Sequence, residues 1–300
     1  MKWQVTEIFK EIKEIGNSKY EAKNNARQAG AHGSAEIAKK TGIYSYRTND
    51  AYRESVIAFG KWAKENLNLK DLTQTTAEAA KAYLYYRIEN KVSHKTFQSN
   101  KASLNKFQVA LNTYSKSHNL NRIYDFKLNG SFKYAHKNLQ HANVKAYDEK
   151  TINKLLNIDS KAVNLSIRLA LGGGLRKSET LKLTVNDLQD NKIQILGGKG
   201  GKDRIVSVIH DKTIINDLKN YLQTENIKNL GQVLTGAKIN YEISKATGGS
   251  GSEHKLRHNY SINTQKGFKD KAYSHIEAVH LTSKQLGHNR NEIVEGVYSK

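Results

Sequence analysis

The apolar positions of the first 120 residues recur at helical spacing. Val5, Ile8, Phe9, Ile12 and Ile15 share one helical face, and Gly16 closes that segment. A polar, Ala-rich stretch covers residues 18–40. From Thr48 to Asn66, Tyr52, Val56, Phe59, Trp62 and Ala63 line one face. Thr75 or Thr76 stands where a cap is needed for a helix through Ala77, Ala80, Tyr83, Leu84 and Ile88. Ser93 opens another, with Phe97, Leu104, Phe107, Val109, Ala110 and Leu111 along it. The pattern predicts about four helices up to residue 120 and an all-helical first half.

Residues 121–150 are irregular and rich in Asn, Lys and His, and read partly as a linker. Helical patterning resumes at Thr151 with Ile152, Leu155 and Leu156. Val163, Ile167, Ala170 and Leu171 then share one face while Leu165 and Leu169 occupy the other, as expected of a helix buried on most sides. Gly172-Gly173-Gly174 breaks it, and a short helix follows from Lys177 to Leu183. The period then changes to two. Ile193 and Ile195 alternate with polar residues, Gly197-Gly198-Lys199-Gly200-Gly201 makes a turn, and Ile205, Val206 and Val208 form a second strand. Helical segments are expected at 211–224, 238–246, 253–266, 275–287 and 289–296, with a Gly/Ser loop over 247–252. No internal repeat is visible. The fold class is mainly α, with one small β-hairpin in the second half. The divisions expected are an N-terminal helical extension at 1–40, a helical domain at 41–140, a linker at 141–150 and a second domain at 151–300.

Charge changes this picture most. Of 300 residues, 49 are Lys or Arg and 28 Asp or Glu, a formal net charge of +21. The excess is spread along the chain: 26 basic against 14 acidic residues in 1–150, and 23 against 14 in 151–300. Two basic surfaces facing one polyanion are the natural reading, with nucleic acid as the leading partner. A Lys-rich solvated surface is the plain alternative, since Lys outnumbers Arg 39 to 10. The absence of Cys removes thiolate metal sites, catalytic thiols and disulfides. No apolar run approaches the ~20 residues of a membrane-spanning helix, and Met1-Lys2-Trp3-Gln4 opens no signal-peptide core. A cytoplasmic protein without a membrane partner is expected. The chain also has no Pro, for which its pattern offers no reason.

Four clusters in the second half carry candidate chemistry. Arg176, in Gly174-Leu175-Arg176-Lys177-Ser178-Glu179, follows a glycine break at a helix start, where backbone N–H groups and a guanidinium fork can face a phosphate. Lys199 sits at the hairpin tip with Lys202 and Arg204 beside it; no GK[ST] opens a helix there, so it is not a Walker A loop. His254, Arg257 and His258 fall on one helical face in His254-Lys255-Leu256-Arg257-His258. Two His at i and i+4 suit zinc, but Lys255 stands where HExxH needs its Glu, and no metal is expected. Last come Leu286-Gly287-His288 and, ten residues later, Tyr298. Taken singly, each has an ordinary structural explanation as a helix-start Arg, a solvated turn, a cap or packing.

In this order and spacing, the five signals in residues 151–300 resemble the tyrosine recombinase (phage integrase) family, and the helices before them look like that family's α-helical core-binding domain. The resemblance implies a two-domain clamp on double-stranded DNA. Tyr298 would be the nucleophile, forming a 3′-phosphotyrosyl link. Arg176 and Arg257 would bind the non-bridging phosphate oxygens, Lys199 would protonate the departing 5′-oxygen, His254 would accept the tyrosine proton and His288 would hydrogen-bond the phosphate. Glu179 would brace the Arg and His side chains, with His258 behind them. Lys177, Lys202 and Arg204 would contact DNA. The phosphotyrosyl ester keeps the bond energy, so no ATP or other cofactor is implied. The assembly implied is a homotetramer on two synapsed sites, built from protomers that are monomers when free. Two residues follow Tyr298, where many members of that family carry a further helix docking on a neighbouring protomer; its absence implies a truncated chain or a different assembly. A type IB topoisomerase and a DNA-binding module that no longer cleaves are the alternatives. Retained binding without covalent capture would mark the latter.

Overall fold

The computed structural model describes residues 1–140, 144–198, 202–208, 210–249, 251–288 and 291–298; the side chains of Lys202, Val297 and Tyr298 lie outside that description. The chain divides into two units, Met1–Asn143 and Val144–Lys300.

The first unit is helical. Its long helices are α4 (Tyr46–Leu67), α5 (Ala77–Glu89) and α6 (His94–Ser117). Each starts at a hydroxyl residue whose side chain accepts a free N–H of the first turn: Ser45 from Thr48, Thr76 from Ala79 and Ser93 from Thr96. Phe59, Tyr83, Leu84, Phe97, Leu104 and Phe107 form the core between them, and Phe59 meets Tyr83 edge-on with ring centres 5.4 Å apart.

Three shorter helices precede these, α1 (Lys2–Lys10), α2 (Lys19–Gln28) and α3 (Gly33–Lys39), so six helices rather than four lie before residue 120 among the described residues. They are built into the unit instead of standing off it. Val5, Ile8, Phe9 and Ile12 belong to the main core, and Phe9 packs on Phe107. The buried Lys106 ammonium donates to Ala38 O at 2.5 Å and Thr41 O at 2.6 Å, satisfying carbonyls at the end of α3. Helix α1 is also shorter than its apolar spacing suggests. Beyond Lys10 the chain turns and then exchanges backbone hydrogen bonds with Ile43 (Ile43 N to Ile12 O and Glu14 N to Ile43 O, both 2.9 Å). Gly42 permits this approach, because a Cβ there would fall 2.6 Å from Ile12 O.

The segment read as irregular is ordered by α6. The Asn112 side chain donates to Tyr124 O and accepts from Tyr124 N–H, both at 2.9 Å, and Gln108 Oε1 accepts from Phe126 N–H at 2.7 Å. Tyr124, Phe126 and Leu128 are thereby buried, and α7 (Asn129–Asn138) follows.

In the second unit α8 (Glu149–Leu156) leads to α9 (Lys161–Gly173), a helix buried on nearly every side, as its sequence indicates. α9 packs against α8, α10 (Lys177–Thr180), α11 (Ile214–Thr224), α12 (Gly236–Ala246) and α13 (Glu253–Lys269). The hairpin is present as β2 (Lys192–Gly198) and β3 (Lys202–Ser207), and a two-residue β1 (Leu188–Gln189) extends it to an antiparallel three-stranded sheet in the order β1-β2-β3. Ile193 pairs with Val206 and Ile195 with Arg204. Strand alternation turns Ile193, Ile195, Arg204 and Val206 inward, whereas Leu196 and Ile205 face out. Helix α14 (His275–Leu286) and the last turns, α15 (Asn291–Ile293) and a π-type turn (Val294–Tyr298), pack on α13.

Ile8→Ala should destabilise the first unit by about 2–5 kcal/mol, the range for emptying a buried aliphatic site. Trp3→Ala on the same helix, 71% exposed, should stay within about 0.5 kcal/mol. Urea titrations of the two variants compare them directly; equal effects would mean that α1 is not part of this core.

Candidate active site

The site grows from two chain breaks and one helix. At the first, Gly174 takes a left-handed conformation (φ 59°) after α9. A side chain there would run into the Tyr260 ring, with a Cβ 2.4 Å from it. The chain then reaches Arg176, which caps α10. Glu179 Oε2 accepts the Arg176 N–H at 2.8 Å, and the other carboxylate oxygen takes the Arg176 guanidinium (Nη1 to Oε1, 2.8 Å).

The second break is the end of α14. Gly287 is left-handed (φ 69°), Gly287 N–H reaches Lys284 O and His288 N–H reaches Ser283 O, both at 3.0 Å. This is a Schellman closure, which satisfies two carbonyls and leaves those of Gln285 and Leu286 pointing outward from the negative end of the helix. Cationic side chains collect there. Arg204 Nε donates to Gln285 O at 2.9 Å, and Arg176 Nη2 and Arg257 Nη2 each donate to Leu286 O at 3.1 Å. Arg257, 1% exposed, also donates through Nη1 to Gly174 O.

Helix α13 supplies the third set. His254 is exposed, with its ring edge-on to His258 at 5.7 Å, while His258 is fully buried. Burial, helped by the nearby Arg257 and Lys255 charges, holds the His258 pKa below its usual value. His288 is half-buried just past α14. The structure therefore gathers Arg176, Arg257 and Glu179 around one helix end, immediately before His288. Lys199 lies outside the described residues, as do the side chains of Tyr298 and Lys202. The backbone turn carrying Tyr298 packs against α13 and α14, with Val294 buried among Tyr260, Val279 and Leu286.

One of the expected DNA-contact residues is placed differently. Arg204 does not project from the hairpin: its side chain is 8% exposed and forms a two-point ion pair with Glu179 (Nη1 to Oε1 2.9 Å, Nη2 to Oε2 2.7 Å). Strand parity explains this, because Arg204 shares the inward face with Val206. Lys177 is half-buried, its stem against Gly236. A cleft of about 520 Å³ opens beside Arg176, lined by Ser178, Lys182, Thr184, Gln194 and Gly198 among others. Among the described residues no three His, Asp or Glu side chains come together as a metal site.

Glu179 brings two guanidinium groups onto one buried carboxylate. Burial would push its pKa up, but the Arg204 hydrogen bonds and charge, then those of Arg176, bring it down to about 2. Glu253, at the start of α13, has the opposite balance. It is 2% exposed, Oε1 receives only a 3.4 Å bond from Ser166, and burial pushes its pKa up to about 8. Nothing local in the sequence singles out Glu253, nor Tyr260, whose hydroxyl donates to Gln285 Oε1 at 2.6 Å.

The family follows from comparison with known sequences. Residues 137–299 match the Phage integrase family, more than half of the chain, and the protein belongs to that family. Among curated relatives it is similar to the tyrosine recombinase XerA of Pyrococcus horikoshii, 34% identical over 83 residues, and to that of Pyrococcus furiosus, 33% identical over 84. These matches take in 27% and 26% of this chain, and it spans only 28% and 29% of the length of the two recombinases. Solved structures share the fold along the whole length. XerH recombinase bound to a palindromic difH substrate gives a TM-score of 0.62 at 18% identity, covering 100% of this chain and 91% of that one. The Tn1549 transposon integrase with circular intermediate DNA gives 0.59 at 14% identity, covering 94% and 95%.

The raised Glu253 pKa sets a pH dependence. The folded state holds a proton that the unfolded chain, near 4.5, releases. The resulting stability is present below about pH 4.5 and is lost as pH rises through about 8. The urea midpoint should fall between pH 5 and 8, and Glu253→Gln should flatten that fall. An unchanged slope in the Gln variant would show that Glu253 is not the group responsible.

Proposed function

We propose that this protein is a site-specific DNA recombinase that cuts and rejoins double-stranded DNA through Tyr298. The reading rests on one observation above the others: Arg176 and Arg257, far apart in sequence, converge on the same carbonyl, Leu286 O, at 3.1 Å each. Two guanidinium forks held side by side form a binding place for the non-bridging oxygens of a phosphodiester, whose negative charge rises as a fifth oxygen adds. Membership of the phage integrase family supports it. So does the fold shared with recombinases and integrases that are themselves bound to DNA.

In this mechanism the Tyr298 oxygen bonds to phosphorus and the bond from phosphorus to the 5′-oxygen breaks. His254, exposed on α13, takes the phenolic proton. Lys199 gives a proton to the departing 5′-oxygen as a flexible point-charge donor. His288 hydrogen-bonds the phosphate next to Arg176. Glu179 acts behind them by holding the Arg176 backbone and side chain together. The second step reverses the first, with a 5′-hydroxyl from another strand as the attacking group. That step requires two duplexes and several protomers, so a tetramer on synapsed DNA is the working assembly. The basic excess in both halves of the chain suits two surfaces that grip one duplex. A mobile element is the context that such an activity serves.

Covalent capture tests this. Labelled duplexes tiled across the DNA flanking the gene, each nicked to trap the cleaved state, are incubated with wild type, Tyr298→Phe, Arg176→Ala and Arg257→Ala, then run on denaturing and native gels. Wild type should become linked to label and the Phe variant should not. Either Arg→Ala change should slow capture by about 10²-fold, the scale for removing one donor to a developing oxyanion. Tight, specific binding with no covalent product in any variant would replace the recombinase with a DNA-binding module.

A further inference from the structure

We propose that Arg204 is a positioning residue for strand cleavage, which acts through Glu179 to set Arg176 and the end of α14, and does not itself bind DNA. The inference rests on the recombinase reading of the site and assigns a role that this reading leaves open.

Arg204 arrives from β3, where it shares the inner face of the sheet with the apolar Val206. Every nitrogen of its guanidinium is used. Two donate to the two oxygens of Glu179, at 2.9 and 2.7 Å, and Nε donates to Gln285 O at 2.9 Å. One planar group thus ties the start of α10 to the end of α14. The third contact is with the backbone of Gly287. A Cβ at that position would lie 3.1 Å from Arg204 Cδ and 3.3 Å from Nε and Nη1, so the bare glycine leaves room for the Arg204 side chain beside it. The residue after that glycine is His288. Gln285 is fixed from the other side by the Tyr260 hydroxyl. The Arg204 and Glu179 side chains are only 8% and 6% exposed, and each Arg204 nitrogen already has a protein acceptor.

Its chemical role follows from charge. Glu179 faces Arg176 at the α10 start, Arg204 from β3, and more distantly the Glu253 carboxyl from α13. With Arg204 in place, the carboxylate has two cations, and Arg176 keeps one Nη for Leu286 O. Without it, Arg176 is the sole counter-charge of a buried carboxylate and is drawn wholly onto it, away from substrate. A Lys at 204 cannot replace the three-point contact, because an ammonium has no planar fork.

The test uses the full chain and the same nicked flanking duplexes, with binding and covalent capture measured separately. Arg204→Gln should cut the capture rate by 10- to 100-fold while changing DNA affinity and its salt dependence by less than about twofold. Arg204→Lys should show an intermediate loss. Adding Glu179→Gln to Arg204→Gln should recover part of the lost rate, since the carboxylate that sequesters Arg176 is gone. A DNA-contacting Arg204 would instead weaken binding, reduce the salt slope and gain nothing from the second change; that result overturns the proposal. A second arm needs no DNA. Glu179→Gln should lower the urea midpoint in wild type but leave it unchanged or raise it in the Arg204→Gln background. The same effect in both backgrounds would remove the coupling and the proposal with it. A wild type that captures none of these duplexes would count against the recombinase reading alone, because the coupling is scored independently.

Discussion

A carboxylate removed from water must be matched by positive charge and hydrogen-bond donors, or it is driven to its neutral form. Glu179 is such a group, and the second unit is organised around matching it. Its partners come from the helix it caps and from a strand on the far side of the site, so satisfying one charge fixes two elements relative to each other. The outward carbonyls at the end of α14 do the same for the cations. They are the only part of a helix whose acceptors lack intrahelical partners, and three arginines meet there. Glu253 shows the contrast: among the described residues its buried carboxyl receives a 3.4 Å bond from Ser166 and makes no ion pair, and burial pushes its pKa up.

Much of this was legible before any coordinates. The hydroxyl caps at Thr76 and Ser93, the break at Gly174, the hairpin and the family pattern of Arg176, Arg257 and Gly287-His288 are local chemistry written at single positions. What escaped reading depends on partners distant in sequence. The helix at 129–138 follows a segment held by amide side chains of α6, and nothing within 121–128 announces Asn112 or Gln108. Arg204 looked like a surface cation because basic residues near a turn usually are. Its parity with Val206 was the available signal, and it pointed inward. Tyr260 and Gln285 carry no motif at all; they matter only because one lies under Gly174 and the other at a helix end.

The first unit makes a complementary point about polar sequence. Residues 18–40 bury little apolar surface of their own, and 121–128 buries alternate side chains (Tyr124, Phe126, Leu128); both are also fixed by side-chain-to-backbone bonds, from Lys106 in one case and from Asn112 and Gln108 in the other. All three donors and acceptors lie on α6. One long helix therefore supplies an apolar face to the core and a polar edge that fixes the backbone of neighbouring segments. Hydropathy alone ranks those segments as loops, because it has no way to count bonds that the segment itself does not make.

The packing of Val294 carries a mechanical consequence. Val294 begins the turn that ends at Tyr298, and it is buried against Leu286 and Tyr260. Leu286 offers its carbonyl to both Arg176 and Arg257, and Tyr260 holds Gln285. The segment bearing the proposed nucleophile and the acceptor that registers the arginines are thus cogs on one shaft. Moving that last turn would shift more than the tyrosine: the same motion would disturb the seat of both guanidinium groups. In the recombinase proposed above, that shared packing couples the position of the nucleophile to the setting of the arginines, so that the two move together.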